Sequence, residues 1–300
     1  MAAQPVRADD RVLRATRALS AFIAPFLIVA FVVLYGFPDQ TERLFAWTIH
    51  PTMTPMVLAS AYFGGFYFFV RALWASRWAT LRLGMLSVAL FATLLGVATI
   101  IHWDKFNHQH FAFWLWAGLY FTAPFLVALA YLANRRCAAP PRPDEARLGP
   151  VSRWVVGVVG LAALATGVTM FVGPPLMIAI WPWALTPLTC RVVGAVFCLG
   201  AAGIGTLIDA RWVTIRLMMQ VETLMIALMF VAALRAPAEF ATDRPLTWLM
   251  LVGFIGVLIG SASVWYAQEI SPRRPRPQSP RSAGRYAARR SSSSTPPSRP

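Results

Sequence analysis

The sequence predicts an all-α polytopic membrane protein, with eight transmembrane helices arranged as two parallel four-helix repeats and both termini cytoplasmic. Three observations carry this reading. Hydrophobic residues make up 58% of the chain and charged residues 13%, whereas a soluble chain carries about 25% charged residues. Eight apolar runs are each long enough to cross a bilayer, near residues 18–36, 53–74, 84–102, 111–133, 154–172, 188–208, 216–235 and 246–268. The chain also resembles itself at a spacing of 134 residues, which sets Arg77 against Arg211.

The runs must be helices. A hydrocarbon core of about 30 Å is crossed at 1.5 Å per residue, so a span needs about 20 apolar residues. Lipid offers the backbone no hydrogen-bond partner, and only helices or closed barrels satisfy it internally. Barrel strands would be about half as long and would alternate in polarity. The first run, Ala18 to Gly36, is followed by no small-residue cleavage site and is expected to be retained as a helix.

The formal charge of +15 comes from Arg, with Lys105 the one lysine. These residues lie between the apolar runs and in the C-terminal tail. That placement fits membrane orientation and no nucleic-acid partner. With the N-terminus inside, only Arg43, Lys105, Arg191, Arg235 and Arg244 of the 27 basic residues fall in outer segments. The bias runs the same way in both halves and puts both termini on the cytoplasmic side. A multi-pass protein of the plasma (inner) membrane is expected, and the preference for Arg over Lys fits a GC-rich bacterial genome.

The chain divides into a cytoplasmic N-terminal segment (1–17), a first four-helix repeat (18–136), a cytoplasmic linker (137–153), a second repeat (154–268) and a basic tail (269–300). Both the Pro-rich stretch 137–150 and the tail from Ser271 are expected to be disordered. The tail's Arg residues could attach to anionic lipid, at about 1 kcal/mol per basic residue near the surface.

The duplication is visible in RWATLRLGML (77–86) against RWVTIRLMMQ (211–220), with Arg77/Arg211, Trp78/Trp212, Thr80/Thr214 and Arg82/Arg216 in register. Farther on, Phe106/Phe240 and Trp114/Trp248 also match. Shared Leu or Ala is a weak match between membrane helices, but aromatic and Arg residues in register are not. An even number of helices per unit leaves both copies the same way up, about a pseudo-two-fold axis along the membrane normal. The repeated RWxTxRL element is expected to anchor the inner interface. The alternative is an anion or lipid site built from Arg77, Arg82, Arg211 and Arg216.

Candidate chemistry is sparse. All four histidines, His50, His102, His108 and His110, fall in outer segments of the first half, with Asp104 among them. Imidazole with carboxylate suits a transition metal, and paired imidazoles can hold haem. The positions matched to His102, Asp104, His108 and His110 in the second half are Ala236, Ala238, Thr242 and Arg244, so the two copies differ in outer-face chemistry. Glu222 is the one acidic residue well inside an apolar run. A charge at that depth costs several kcal/mol unless paired, which marks it as a solute or proton site. Gln220 is a candidate for the same solute or proton site, and Gln220, Thr223 and Arg216 are also the partners within reach that could satisfy Glu222 instead. Arg191, early in the sixth run, can snorkel outward or join the same seam.

Cys137, Cys190 and Cys198 form no metal or disulfide spacing. The Gly-rich stretch 194–205 lies in an apolar run and suits close helix packing rather than a nucleotide cradle. No hydrolase, metalloprotease or phosphate-loop motif occurs, so catalysis is not favoured. The first expectation is a permease-like carrier or channel for a small solute or ion. The alternatives are an outer-face metal- or haem-binding redox or assembly protein, and a non-catalytic scaffold subunit.

Overall fold

The computed structural model describes residues 9–270. Among them the chain is helical throughout, with no strand and one isolated bridge between Arg147 and Arg211. Eight helices are long and apolar enough to span a membrane. They are α1 (Arg14–Gly36), α2 (Met53–Trp74), α3 (Arg82–Ile101), α4 (Phe111–Arg135), α5 (Pro150–Val172), α6 (Pro187–Ile208), α7 (Trp212–Arg235) and α8 (Pro245–Ile270). Several begin a turn before the apolar run does. Arg14, Arg82 and Arg153 lie in first turns, where a long cationic side chain can follow the helix to the interface.

Burial separates a core from a rim. In α2, α3, α6 and α7, 61%, 50%, 56% and 44% of the apolar window is buried. In α1, α4, α5 and α8 the shares are 28%, 28%, 22% and 17%. The rim helices turn bare apolar side chains outward, among them Val29, Leu129, Val158 and Ile259. Such faces suit lipid contact, because hydrocarbon levies no penalty on them. The packing partners form a pattern: α1 on α2 and α5 on α6, α3 with α4 and α7 with α8, and α2 against α7 and α3 against α6 across the middle.

Connections recur at matched positions. The Trp78 N–H donates to the Asp10 carbonyl at 2.6 Å, and the Trp212 N–H to the Ala146 carbonyl at 2.8 Å. The Asn107 N–H donates to Ala46 at 2.9 Å, and Ala241 to Pro182 at 2.7 Å. The indole Nε1 of Trp114 donates to the His108 carbonyl at 2.9 Å, and that of Trp248 to Thr242 at 3.0 Å. One 3-10 turn follows α3 at Trp103–Lys105 and another follows α7 at Pro237–Glu239.

Two features concern the site. Helix α6 is interrupted mid-span by a 3-10 turn, Cys198–Gly200. Its Gly-rich stretch packs tightly on α5: a Cβ on Gly167 would stand 2.5 Å from the Gly194 carbonyl oxygen, and one on Gly160 would stand 2.6 Å from that of Gly200.

The linker departs from expectation. Disorder was expected across 137–150, but the segment is docked. Cys137 accepts from the Asp10 N–H at 2.8 Å, the Leu148 N–H donates to Ala210 at 2.8 Å, and the Leu148 side chain is buried. Composition suggested a solvated loop, but Glu145 and Leu148 give this stretch one ionic and one apolar anchor. The basic tail from residue 271 lies outside the described residues.

Candidate functional site

Glu222 lies on the core helix α7, three turns in from Trp212. None of the partners expected from the sequence reaches it. Gln220 Oε1 accepts from the Tyr67 hydroxyl at 3.1 Å, and Thr223 Oγ1 donates to the Met219 carbonyl at 2.6 Å. Arg216 is turned outward, with its Nε 3.1 Å from Glu269 and its guanidinium 5.4 Å from the centre of the Trp265 ring. Glu222 Oε1 is buried without a hydrogen-bond partner among the described residues. Its neighbours Val221 and Met225 line a cavity of about 50 Å³, and so does Val88, the residue matched to Glu222 in the first half. Tyr62 and Tyr120 also line this cavity, buried, with their hydroxyls 3.1 Å apart. Tyr120 donates to the Tyr62 oxygen, and the Tyr62 hydroxyl proton has no acceptor among the described residues.

At the end of the bundle that carries the histidines, two residues assigned to different roles meet. Arg191 Nη1 lies 2.8 Å from His102 Nε2, which makes the imidazole nitrogen the acceptor. Partial burial and then the Arg191 charge push the His102 pKa below 6.5, and Asp104 only partly offsets them. Asp104 itself is exposed and pairs with Lys105 at 2.7 Å, and the hydrogen bond from Lys105 lowers its pKa. The other histidines have separate tasks. His110 Nδ1 accepts from the Ala112 N–H at 3.3 Å and caps α4. His108 packs edge-on against Phe113, with ring centres 4.7 Å apart. His50 is exposed before α2. Among the described residues no three His, Cys, Asp or Glu side chains come together as a metal-binding group.

Sequence reasoning missed Glu239. Its carboxylate takes the Thr52 N–H at 2.8 Å, the Thr52 hydroxyl at 2.5 Å and the Met53 N–H at 2.7 Å. It therefore caps the start of α2 from the far half of the molecule, where a negative charge complements the helix dipole. Trp183 Nε1 adds a second crossing bond, to Thr54 Oγ1 at 2.9 Å.

The opposite end holds the Arg residues of the repeated element, and the structure changes their reading. Each of them faces a carboxylate. Arg77 Nε meets Asp10 at 2.8 Å and its Nη2 meets Glu145 at 2.5 Å. Arg211 meets the other oxygen of Glu145 at 3.0 Å and Asp209 at 2.8 Å, and Arg82 also pairs with Asp209. Burial by itself would raise the pKa of Glu145 and Asp209. Hydrogen bonds outweigh it, from Arg77 and Arg211 for Glu145 and mainly from Arg211 for Asp209, and hold both below the ordinary carboxylate range. The sequence carried a sign of this in its paired acids, Asp9-Asp10 and Asp144-Glu145, each ahead of the first helix of its half.

Comparison with family models, with curated proteins and with solved structures finds no match to this chain.

Proposed function

We propose that this protein is a carrier or channel for a small solute or ion, with Glu222 at its transport site. The observation that carries the reading is the Glu222 carboxylate, with one oxygen buried and unpartnered inside a spanning helix. A structural role would supply a partner, because an uncompensated ionisable group in hydrocarbon costs several kcal/mol. A proton or a monovalent cation is the ligand that neutralises it at least volume. The 3-10 interruption in α6 supports this reading, since broken helices near the midplane are where carriers bind their solutes. Poverty of polar groups along the core helices argues for a proton or small ion over a large polar substrate.

The reading includes an arrangement. The halves are two parallel repeats, supported by the paired helix contacts and by hydrogen bonds that recur at matched positions. The Arg asymmetry supports a plasma-membrane orientation with the Arg-rich end cytoplasmic, where the basic tail would lie against anionic lipid. Flux into liposomes of purified protein, driven by proton and monovalent-cation gradients, tests the function. Glu222→Gln should lose at least about tenfold of the flux, while His50→Ala and His102→Ala retain it. Undiminished flux in Glu222→Gln would remove Glu222 from the site.

A further inference from the structure

We infer that the Arg-rich end of the seam between α1–α4 and α5–α8 is the gate to this site, held shut by an ionic clasp centred on Glu145. The inference rests on the carrier reading above. Arg77 and Arg82 belong to the first set of helices, and Asp209 and Arg211 to the second. Glu145 sits on the segment that joins the two sets and gives one oxygen to Arg77 and the other to Arg211. Arg82 crosses directly to Asp209. Three guanidinium groups, Arg77, Arg82 and Arg211, face three carboxylates, Asp10, Glu145 and Asp209, so the clasp itself carries no net charge within the basic end around it.

Opening this end must part Arg82 from Asp209 and Arg77 from Glu145 or Glu145 from Arg211. The side chains of Arg211 and Glu145 are 5% and 8% exposed, whereas Arg82 is 30% exposed. The clasp is thus dry at its centre and wet at its edge. Pairs in that position hold more firmly than surface pairs, yet salt and water can reach them when they separate. Just inside lies the close contact of Gly84, Phe68 and Met218, from α3, α2 and α7. The far end of the seam is tied differently, by Glu239 on the start of α2, by Trp183 on Thr54 and by Arg191 on His102. Only the Arg-rich end is closed by carboxylate–guanidinium pairs that span the seam among the described residues.

The test is cysteine accessibility in the full-length protein, with Cys137, Cys190 and Cys198 replaced and Met218→Cys as the reporter. A membrane-impermeant maleimide is applied to opened membranes. Glu145→Gln and Asp209→Asn should each raise the labelling rate about tenfold, and Arg82→Gln severalfold. A reporter at Met56→Cys, one turn inside the other end, should not respond. If Glu145→Gln fails to fold, Arg82→Gln and the parent protein at about 0.5 M salt decide, and both should label faster. Unchanged labelling of Met218→Cys in every folded variant and at high salt overturns the clasp. So does an equal rise at Met56→Cys, which would mean general loosening. The readout needs no transport, so faster labelling without any flux would retain the gate geometry while removing the carrier reading.

Discussion

The first four helices and the last four share a skeleton and differ in what fills it. The first set is packed with aromatic rings. Trp47 meets Phe106 at 5.0 Å and Trp116 at 4.9 Å between ring centres, and the Tyr62–Tyr120 pair lines a cavity. The second set keeps the Trp183–Phe240 contact at 5.7 Å but brings α5 onto α6 through bare backbone at Gly160, Gly167, Gly194 and Gly203. Histidines gather in the first set, and among the described residues the buried carboxylate oxygen without a partner, Glu222 Oε1, lies in the second. Matched Trp and Phe positions make the contacts common to both sets, whereas the histidines and Glu222 stand at unmatched positions.

Four outcomes would break or sharpen this comparison. The largest effect is expected at the matched Trp positions. Trp78→Ala and Trp212→Ala each remove a buried anchor and should destabilise by about 3–5 kcal/mol in denaturant titration, by similar amounts. Markedly unequal losses would argue against equivalent roles.

The next effect separates the two packings. Gly167→Val drives a side chain into the Gly194 carbonyl and should cost about 1–3 kcal/mol, whereas Gly256→Val, with nothing within 4 Å, should be close to neutral in thermal unfolding. Equal sensitivity would mean that the Gly256 face is covered.

A smaller effect probes the hydroxyl pair. Tyr62→Phe and Tyr120→Phe each leave one buried hydroxyl without a partner and should cost about 1 kcal/mol. The double variant leaves none and should cost less than either single change. Additive losses would show that each hydroxyl has a further partner.

The smallest effect is on pH. Glu145 and Asp209 have folded pKa values below their ordinary 4.5 and 3.8. Their contribution is therefore full above the ordinary carboxylate range and is lost as pH falls through the depressed values. Melting temperature should hold from neutrality down to about pH 5 and then fall, and Glu145→Gln should flatten that fall.

The spans were legible in the sequence because hydrophobic length leaves few alternatives in lipid. The runs at 53–74 and 216–235 fall within α2 and α7, and helix starts were missed where polar or Pro-led first turns precede the apolar stretch, as at Arg14, Arg82, Pro150 and Trp212. The candidate site was legible in one particular: Glu222 stands out as a carboxylate in an apolar run. Its surroundings were not legible, because Gln220 and Arg216 are near it in sequence yet face Tyr67 and Glu269. The cross-seam contacts were missed for the same reason. Glu239 and Thr52, or Glu145 and Arg77, are joined by tertiary packing that no local pattern encodes, and the Pro-rich composition of 137–150 hid the anchoring role of Glu145.

The most direct measurement of the central claim is chemical labelling of Glu222 with a lipophilic carbodiimide, which attacks protonated carboxyl groups in the bilayer. Mass spectrometry should locate the adduct on Glu222 in the wild-type protein and find none in Glu222→Gln. The reaction should slow as pH rises or as a monovalent cation is added. A Glu222 that never reacts, or one whose reaction ignores both pH and every monovalent cation, would contradict its role as an exchanging site.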